Sequence, residues 1–355
     1  MSKISGPAAA ALASLCPDNV IFLQSLPKAE LHAHLNGSIP VKTILELAQK
    51  YPPSGAHAAE VADTIEKLGS GVDFNEISDF FFLMSVIYAL TSTPEAVATV
   101  TRAVLQSFLN PADDGAESPQ CAYLELRSTP RATTHMTRER YLVTVLDEIE
   151  TYPATQAALI VSVDRRMSDL DLAECVSLAI EMKNRGRRVV GIDVCGDPRS
   201  GDMRSFTHHL SRAKGAGLGL TVHIAEHTAN TTEDSLALLS CRPDRLGHAT
   251  FLSDELKAFE SADPCIEICL SSNLLGKSVA SLDAHHIHYY LKNDHPIVIC
   301  TDDKLPFRTS CLGEYSLLLA QPPLGLGLSR DDVARIARMG MDAAFLRPRD
   351  CRSRL

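Results

Sequence analysis

The chain of 355 residues contains no Cys-x-x-Cys pair, although it has ten cysteines. Scattered cysteines are typical of reduced thiols in a cytosolic protein and argue against a disulfide scaffold. The chain also lacks an excess of basic residues, since 44 acidic and 34 basic side chains give a formal net charge of -10. Duplex nucleic acid is bound largely by lysines and arginines on phosphates, so we expect no nucleic-acid partner.

Long apolar runs, internal repeats and low-complexity linkers are also missing from the sequence. No apolar run approaches the length of a transmembrane helix, so we expect no membrane partner. We expect a leader over residues 1–24, weakly structured or helical, and a single domain over residues 25–355. The protein is expected to be monomeric and cytoplasmic.

Short apolar or β-branched runs recur along the chain, with helical stretches between most of them. The predicted strands are Glu30–Leu35, Ala122–Arg127, Ala158–Val163, Val189–Val194, Leu220–Ile224, Arg245–His248, Cys265–Leu270 and Ile297–Cys300. Alternating strands and helices imply parallel pairing, and eight such units close into a (β/α)8 TIM barrel. The long gap from Ser38 to Pro119 predicts extra helices after strand one, among them Ala58–Leu68 and the aromatic segment Phe74–Leu90. Its aromatic residues either line a substrate lid or merely pack the added helices.

His32 and His34 stand one residue apart near the end of the first predicted strand. Side chains at i and i+2 of a strand point to one face, so both imidazoles can converge on one point. Imidazole nitrogen is a common ligand of zinc. Most His-x-His pairs are nevertheless only polar strand positions, so the pair needs further ligands before it indicates a metal site.

Enzymes of this fold carry catalytic groups at the carboxyl ends of the strands. Those ends hold His32, His34, Arg127, Ser128, Asp164, Asp193, Gly196, His223, Glu226, His248, Asn273, Asp302 and Asp303. Three histidines (His32, His34, His223) and Asp302 suit one divalent metal per chain, with zinc favoured, and leave room for a water. Glu226 is then the predicted proton donor or acceptor, while His248 and Asp303 orient or deprotonate the water.

Simpler interpretations of the same residues stay open. His248 is also compatible with a satisfied core histidine, and the pair Asp302 and Asp303 with an N-cap of the last helix. For each residue considered alone, the simpler interpretation is the better one. The convergence of all these residues on one barrel face nevertheless favours a catalytic site.

Six segments together resemble the adenosine/AMP deaminase family: Leu26–Ser38, Gly191–Asp197, His223–Glu226, Arg245–His248, Ser271–Asn273 and Thr301–Asp303. The resemblance implies hydrolytic deamination of a 6-aminopurine. It implies that Glu226 protonates N1, His248 acts on the attacking water, Asp303 holds that water and bonds N7, and the backbone N–H of Gly196 approaches N3.

Within this family the chain is similar to the branch that acts on AMP methylated at its exocyclic amine. Asn36 stands where nucleoside-specific members have an aspartate, and Glu125–Arg131, Val163–Arg166 and Cys300–Lys304 also fit that branch. The implied reaction converts N6-methyl-AMP to IMP and methylamine. The implied substrate contacts are His34, Asn36, Tyr88, Ser128, Thr129, Pro130, Arg131, Asp164, Gly196 and Asp303, with Tyr88 replacing a usual histidine.

The physical interpretation agrees with that substrate. Asn36 carries no charge to repel a 5′-phosphate, and Arg131 offers a planar set of donors to it. Without the resemblance, Arg131 is better explained as a solvated loop residue.

Four other functions use similar residues or a similar fold. A nucleoside deaminase of the same family and a catalytically silent nucleotide-binding barrel remain alternatives. A dinuclear amidohydrolase is disfavoured because Val194–Gly196 stands where such enzymes carry a modified lysine. A cytidine-deaminase type of zinc site is excluded because it needs Pro-Cys-x-x-Cys, and three residues separate Cys265 from the next cysteine.

Overall fold

The computed structural model describes residues 4–50, 58–59, 61–64, 77–111, 118–259 and 264–346. Its strands are β1 (Ala29–Glu30), β2 (Tyr123–Ser128), β3 (Ala157–Asp164), β4 (Val189–Cys195), β5 (Gly219–Ile224), β6 (Arg245–His248), β7 (Cys265–Ile268) and β8 (Ile297–Ile299). They form one eight-stranded sheet in chain order, and each strand pairs in parallel with the next. The predicted (β/α)8 TIM barrel is confirmed.

Helices join the strands and cover the sheet. They are α1 (Gly6–Ser14), α2 (Pro17–Ser25), α3 (Val41–Lys50), α4 (Ile77–Leu90), α5 (Pro94–Leu109), α6 (Arg138–Ile149), α7 (Asp169–Asn184), α8 (Met203–Gly215), α9 (Thr232–Ser240), α10 (Asp254–Phe259), α11 (Leu270–Leu275), α12 (Ile287–Lys292), α13 (Lys304–Phe307), α14 (Cys311–Leu319) and α15 (Arg330–Asp342). Strand β2 is buried along its whole length, as expected for a parallel strand covered on both faces.

The first strand is shorter than predicted. It ends at Glu30, and His34 forms only an isolated parallel bridge with Arg127. The chain then turns into a single 3₁₀ turn, Asn36–Ser38, because the N–H of Leu35 donates to the carbonyl of Arg127 at 2.9 Å. The histidine pair therefore lies on an irregular segment that crosses the barrel mouth.

Three described helices, α3 to α5, follow β1 before the chain enters β2, so the predicted insertion is present. Helix α4 contacts both α3 and the 3₁₀ turn, which places it beside the barrel mouth. The side chains of Phe80, Phe81 and Phe82, and most of the predicted helix Ala58–Leu68, lie outside the described residues.

Helices α1 and α2 pack on α14, so the start of the chain lies against the barrel wall. Ala8, Ala11 and Leu23 are buried there. Among the described helices, none alone has the length and apolar character needed to cross a membrane; two bent pairs, Gly6–Ser14 with Pro17–Ser25 and Leu83–Leu90 with Pro94–Leu109, meet that test only when each pair is taken together.

The amino-terminal end of the barrel is closed by residues that follow α15. The backbone N–H groups of Phe345 and Leu346 donate to Glu125 Oε1 at 2.6 and 3.3 Å. The Phe345 ring lies 3.7 Å from the Arg245 guanidinium carbon and occupies the space that a Cβ at Gly191 would need. Within the described residues, the backbone of Phe345 and Leu346 and the Phe345 ring therefore fill this end of the barrel.

Candidate active site

A cavity of about 530 Å³ opens at the carboxyl ends of the strands. The predicted site residues that line it are His34, Asn36, Tyr88, Ser128, Thr129, Asp164, Gly196, His223, Glu226, His248, Asp302 and Asp303. His32 lies beneath its floor with no exposed surface. Pro130 and Arg131 are the predicted substrate contacts that do not line the cavity.

Four of these side chains form a cluster on the cavity floor. One ligand atom from each of His32, His34, His223 and Asp302 lies within 4.8 Å of the others. Asp302 Oδ1 is 3.7 Å from His32 Nε2 and 3.5 Å from His34 Nε2. The Nε2 atoms of His34 and His223 are 3.2 Å apart. Three nitrogens and one carboxylate oxygen at this spacing suit zinc.

Two carboxylates orient the rings of His32 and His223 within that cluster. His32 Nδ1 donates to Glu267 Oε2, and His223 Nδ1 donates to Asp193 Oδ1 at 3.0 Å. Both bonds leave the lone pair on Nε2, as is usual for metal-binding histidines. Sequence reasoning missed Glu267, although an acidic residue inside the apolar run Cys265–Ile268 is a signal that could have found it.

Burial controls the charge of this cluster. It lowers the pKa of His32 and of His34, which keeps both imidazoles neutral with their lone pairs available. Burial also opposes the charging of His223, but the Asp193 carboxylate raises the pKa of His223 above its usual value. Neutral imidazoles are the form that binds a metal.

A second donor set shares part of the same space. Ligand atoms of His32, His248, Cys269 and Asp302 also lie within 4.8 Å of one another. Burial raises the pKa of the Cys269 thiol, which favours the protonated form, and the thiolate is the ligand form. The set with three histidines therefore fits a metal better.

His248 is not a satisfied core histidine. Among the described residues neither of its ring nitrogens has a hydrogen-bond partner, although the ring is buried. Its Nε2 lies 3.8 Å from both Glu226 Oε1 and Asp302 Oδ2. Burial lowers the pKa of His248 to about 4, so the neutral ring can accept a proton beside the floor cluster.

The backbone at the strand ends is strained. His248 and Asp302 adopt φ angles of 60° and 57°, in the left-handed region that residues with a Cβ rarely occupy. Such residues cost about 1–3 kcal/mol each and are frequent at functional sites. The conformation turns both side chains over the barrel mouth, where Ser272 Oγ donates to Asp302 Oδ2 at 2.7 Å.

Asp303 lies against the 3₁₀ turn. It occupies the N-cap position of α13 but makes no capping hydrogen bond with its side chain, so helix capping does not explain it. A Cβ added to Gly37 would lie 1.4 Å from Asp303 Oδ1. Burial, together with the charge of Asp302, raises the pKa of Asp303. The protonated carboxyl can donate a hydrogen bond to a heterocycle nitrogen.

The far wall of the cavity is formed by the ends of β3 and β4. Gly196 has a φ of 102°, and a Cβ there would lie 2.7 Å from the Asp164 carboxyl carbon. A ligand can therefore approach the Gly196 backbone closely. Arg166 also lines the cavity and holds Asp164 with bonds of 2.8 Å from Nε and 2.6 Å from Nη2.

Arg131, a predicted phosphate contact, binds the end of α4. Its guanidinium donates to the carbonyl of Tyr88 at 3.2 Å and to the carbonyl and hydroxyl of Thr91 at 3.0 and 2.7 Å. It also stacks on the Tyr88 ring at 4.3 Å. The end of α4 therefore binds Nη1 and Nη2, while Nε is buried and has no hydrogen-bond partner within the described residues.

The chain is similar to known proteins over most of its length. The family model described as adenosine deaminase matches residues 27–355. The chain is 36% identical over 316 residues to the N6-methyl-AMP deaminase of Bos taurus, covering 85% of this chain and 86% of that protein. The crystal structure of Arabidopsis N6-mAMP deaminase superposes with a TM-score of 0.80 at 34% identity, covering 92% of this chain and 95% of that one. Arabidopsis ADAL complexed with IMP gives a TM-score of 0.80 at 35% identity, covering 91% and 93%.

Proposed function

Because the chain belongs to the adenosine deaminase family, we propose that it hydrolyses N6-methyl-AMP to IMP and methylamine. The observation that carries the proposal is the convergence of the floor cluster with Glu226 and His248 in one cavity. The relatives named N6-methyl-AMP deaminase, 36% identical in Bos taurus and 34% in Arabidopsis, support this substrate.

We propose that His32, His34, His223 and Asp302 hold one zinc ion per chain. The donor set fits the ion, because His32 Nε2 is buried and, among the described residues, has no hydrogen-bond partner. A bound zinc ion would polarise a water and lower its pKa toward neutrality. We assign the proton transfers to side chains that lie around the floor of the cavity.

Three side chains carry the proton transfers in this proposal. Glu226, with 29% of its side chain exposed to the cavity, donates a proton to purine N1. His248 accepts a proton from the attacking water, since burial keeps its ring neutral. Asp303 bonds N7; burial and the charge of Asp302 raise its pKa, and in the protonated form its carboxyl donates to this nitrogen, which only accepts.

The rest of the nucleotide contacts the walls. The backbone N–H of Gly196 approaches N3, with Asp164 beside it. Asn36, at the 5′ end, presents a neutral amide whose Oδ1 is buried and unpaired within the described part of the chain. Ser128, Thr129 and Tyr88 also line the cavity. Replacing an aspartate with Asn36 removes the repulsion that a 5′-phosphate would meet.

Two alternatives predict different substrates or none. A nucleoside deaminase would turn over adenosine faster than any nucleotide. A silent nucleotide-binding barrel would hold metal and nucleotide without releasing amine. Such a protein would not need His248 Nε2 within 3.8 Å of Glu226 Oε1 beside the floor cluster.

The deciding experiment is a substrate panel of N6-methyl-AMP, AMP, N6-methyladenosine and adenosine, with Glu226→Gln alongside. We expect N6-methyl-AMP to give the highest kcat/KM, and Glu226→Gln to lower kcat by about 10²–10⁴-fold while zinc content stays unchanged. Faster turnover of adenosine than of both nucleotides would move the chain to the nucleoside deaminases. Wild-type turnover by Glu226→Gln would overturn the proton-transfer role.

We also propose that the protein is a cytosolic monomer. Every cysteine in the described part of the chain is a free thiol, which suits a reducing compartment. Light scattering during size-exclusion chromatography checks the mass in solution, and fluorescence of a tagged chain checks the compartment.

A further inference from the structure

Arg127 precedes the last residue of β2 at the cavity floor, and its side chain is fully buried. Its Nη2 donates to Glu267 Oε2 at 2.8 Å, and its Nη1 lies 3.2 Å from Asp193 Oδ1. Nη2 also donates to the carbonyl of Leu31 at 2.5 Å, next to His32 in the chain. One guanidinium therefore joins β2 to the ends of β1, β4 and β7.

The two carboxylates in contact with Arg127 are the two that orient the histidine rings. Glu267 Oε2 accepts from both Arg127 and His32 Nδ1, so the arginine and the imidazole share one oxygen atom. Asp193 Oδ1 accepts from His223 Nδ1 and forms an ion pair with Arg127 Nη1. The rings of His32 and His223 lie 4.5 Å apart, measured between their centroids. Arg127 thus connects the two rings through one oxygen on each side.

We propose that Arg127 is the positioning residue that sets the separation and orientation of His32 and His223, so that both Nε2 atoms face the metal position before any metal binds. The proposal rests on the zinc site proposed above. A planar guanidinium has donors in fixed directions and spans two carboxylates, whereas a lysine ammonium is a point charge that cannot hold both. Residues that orient metal-binding histidines typically change metal affinity by about 10–100-fold when they are replaced.

Arg245 belongs to the same set of buried charges but has a different role. Arg245 is equally buried and contacts the same Glu267, but through Oε1 at 2.7 Å, an oxygen that holds no histidine. Its other bonds go to Glu125 Oε2 at 2.7 Å and to the carbonyl of Ala343 at 3.0 Å, at the closed end of the barrel. Arg245 is therefore a matched control: the same residue type and burial, bonded to an oxygen of Glu267 that no histidine shares.

The test compares purified wild-type protein with Arg127→Lys and Arg245→Lys. Zinc affinity is measured by competition with a chromogenic chelator, and the absorption spectrum of the cobalt(II)-substituted protein reports the coordination geometry. We expect Arg127→Lys to weaken zinc binding by about 10–100-fold and to change the cobalt spectrum. We expect Arg245→Lys to lower the melting temperature while zinc affinity stays within about threefold, a smaller change than loss of an orienting residue gives.

The other possible outcomes distinguish failure of the proposed zinc site from failure of the proposed role of Arg127. Wild-type protein that binds no zinc would overturn the proposed zinc site. Zinc-binding wild-type protein with an unchanged Arg127→Lys affinity and spectrum would overturn only the role of Arg127. Equal weakening by both arginine variants would overturn it too, because general loss of packing would then explain the effect.

A second measurement needs no substitution, in case Arg127→Lys does not fold. The ¹⁵N chemical shifts of the imidazoles in metal-depleted wild-type protein report which ring nitrogen carries the proton. We expect His32 and His223 to carry it on Nδ1 and to keep that form when zinc is added. Rings that switch tautomer or average between orientations in the metal-depleted protein would overturn the proposal.

Discussion

At the scale of single residues, Arg131 links two segments that are far apart in the sequence. Three of its hydrogen bonds go to the Tyr88 and Thr91 turn at the end of α4, and its guanidinium stacks on the Tyr88 ring. These partners lie 40 and 43 residues earlier in the chain, so no local pattern around Arg131 indicates them. The residue fastens the helix beside the cavity mouth to the loop after β2.

We therefore expect Arg131→Ala to act on both nucleotides and nucleosides. Loss of the bonds to Tyr88 and Thr91 should lower the free energy of unfolding by about 1–3 kcal/mol. It should reduce kcat/KM for N6-methyl-AMP and N6-methyladenosine by the same factor, since these bonds hold α4 beside the cavity that both substrates enter. Steady-state kinetics with both substrates check this, and a loss confined to the nucleotide would show that Arg131 binds the phosphate after all.

At the scale of secondary structure, the 3₁₀ turn Asn36–Ser38 determines where Asp303 lies. The turn follows the two histidines directly, and Gly37 leaves the space that the Asp303 carboxylate fills. The added Cβ of an alanine would lie 2.3 Å from the Asp303 carboxyl carbon. Contacts this short never occur, so the carboxylate or the turn has to move.

The variant Gly37→Ala tests this packing. We expect kcat/KM to fall by about 10²-fold, the usual effect of a displacement near 1 Å at a catalytic group. Zinc content should stay unchanged, because Asp303 is not among the four proposed ligands. Gly215→Ala is the control, since a Cβ at this helical glycine meets no atom within 4 Å. Wild-type kinetics for Gly37→Ala would show that the position of Asp303 does not matter for the reaction.

Over the whole molecule, the order of the strands was predictable because strands and helices alternate in the sequence. The site residues at the strand ends were predictable for the same reason, since the fold gathers those ends at one face. The length of β1 was not, because hydrogen bonds to Arg127 and Asp302 bend residues 31–35 across the mouth. Glu267 and the partners of Arg131 depend on contacts between distant segments, which a local pattern does not show.

The stability of the whole protein should depend on Glu314. This carboxyl is buried among Thr309 and Ser271, and burial raises its pKa to about 7. An unfolded chain releases this proton near the usual glutamate pKa of about 4.3. The native state therefore binds more protons between these values. Its contribution to the free energy of unfolding is fully present below the unfolded pKa and is lost as pH rises through 7.

Urea unfolding of wild-type protein and Glu314→Gln between pH 4.5 and pH 8 measures this effect. We expect the stability of the wild type relative to the variant to fall by up to roughly 3 kcal/mol across that range, because glutamine does not titrate. A difference independent of pH would mean that Glu314 is already ionised in the native state at low pH.

The contact of Phe345 and Leu346 with Glu125 has a consequence for biosynthesis. A growing polypeptide leaves the ribosome from its amino terminus, so all eight strands emerge before the two N–H groups that bond Glu125. Until then, the end of the barrel that holds Arg245 and Glu125 lacks the cover of Phe345 and Leu346. The Phe345 ring can therefore cover the Arg245 guanidinium only after all eight strands have been synthesised.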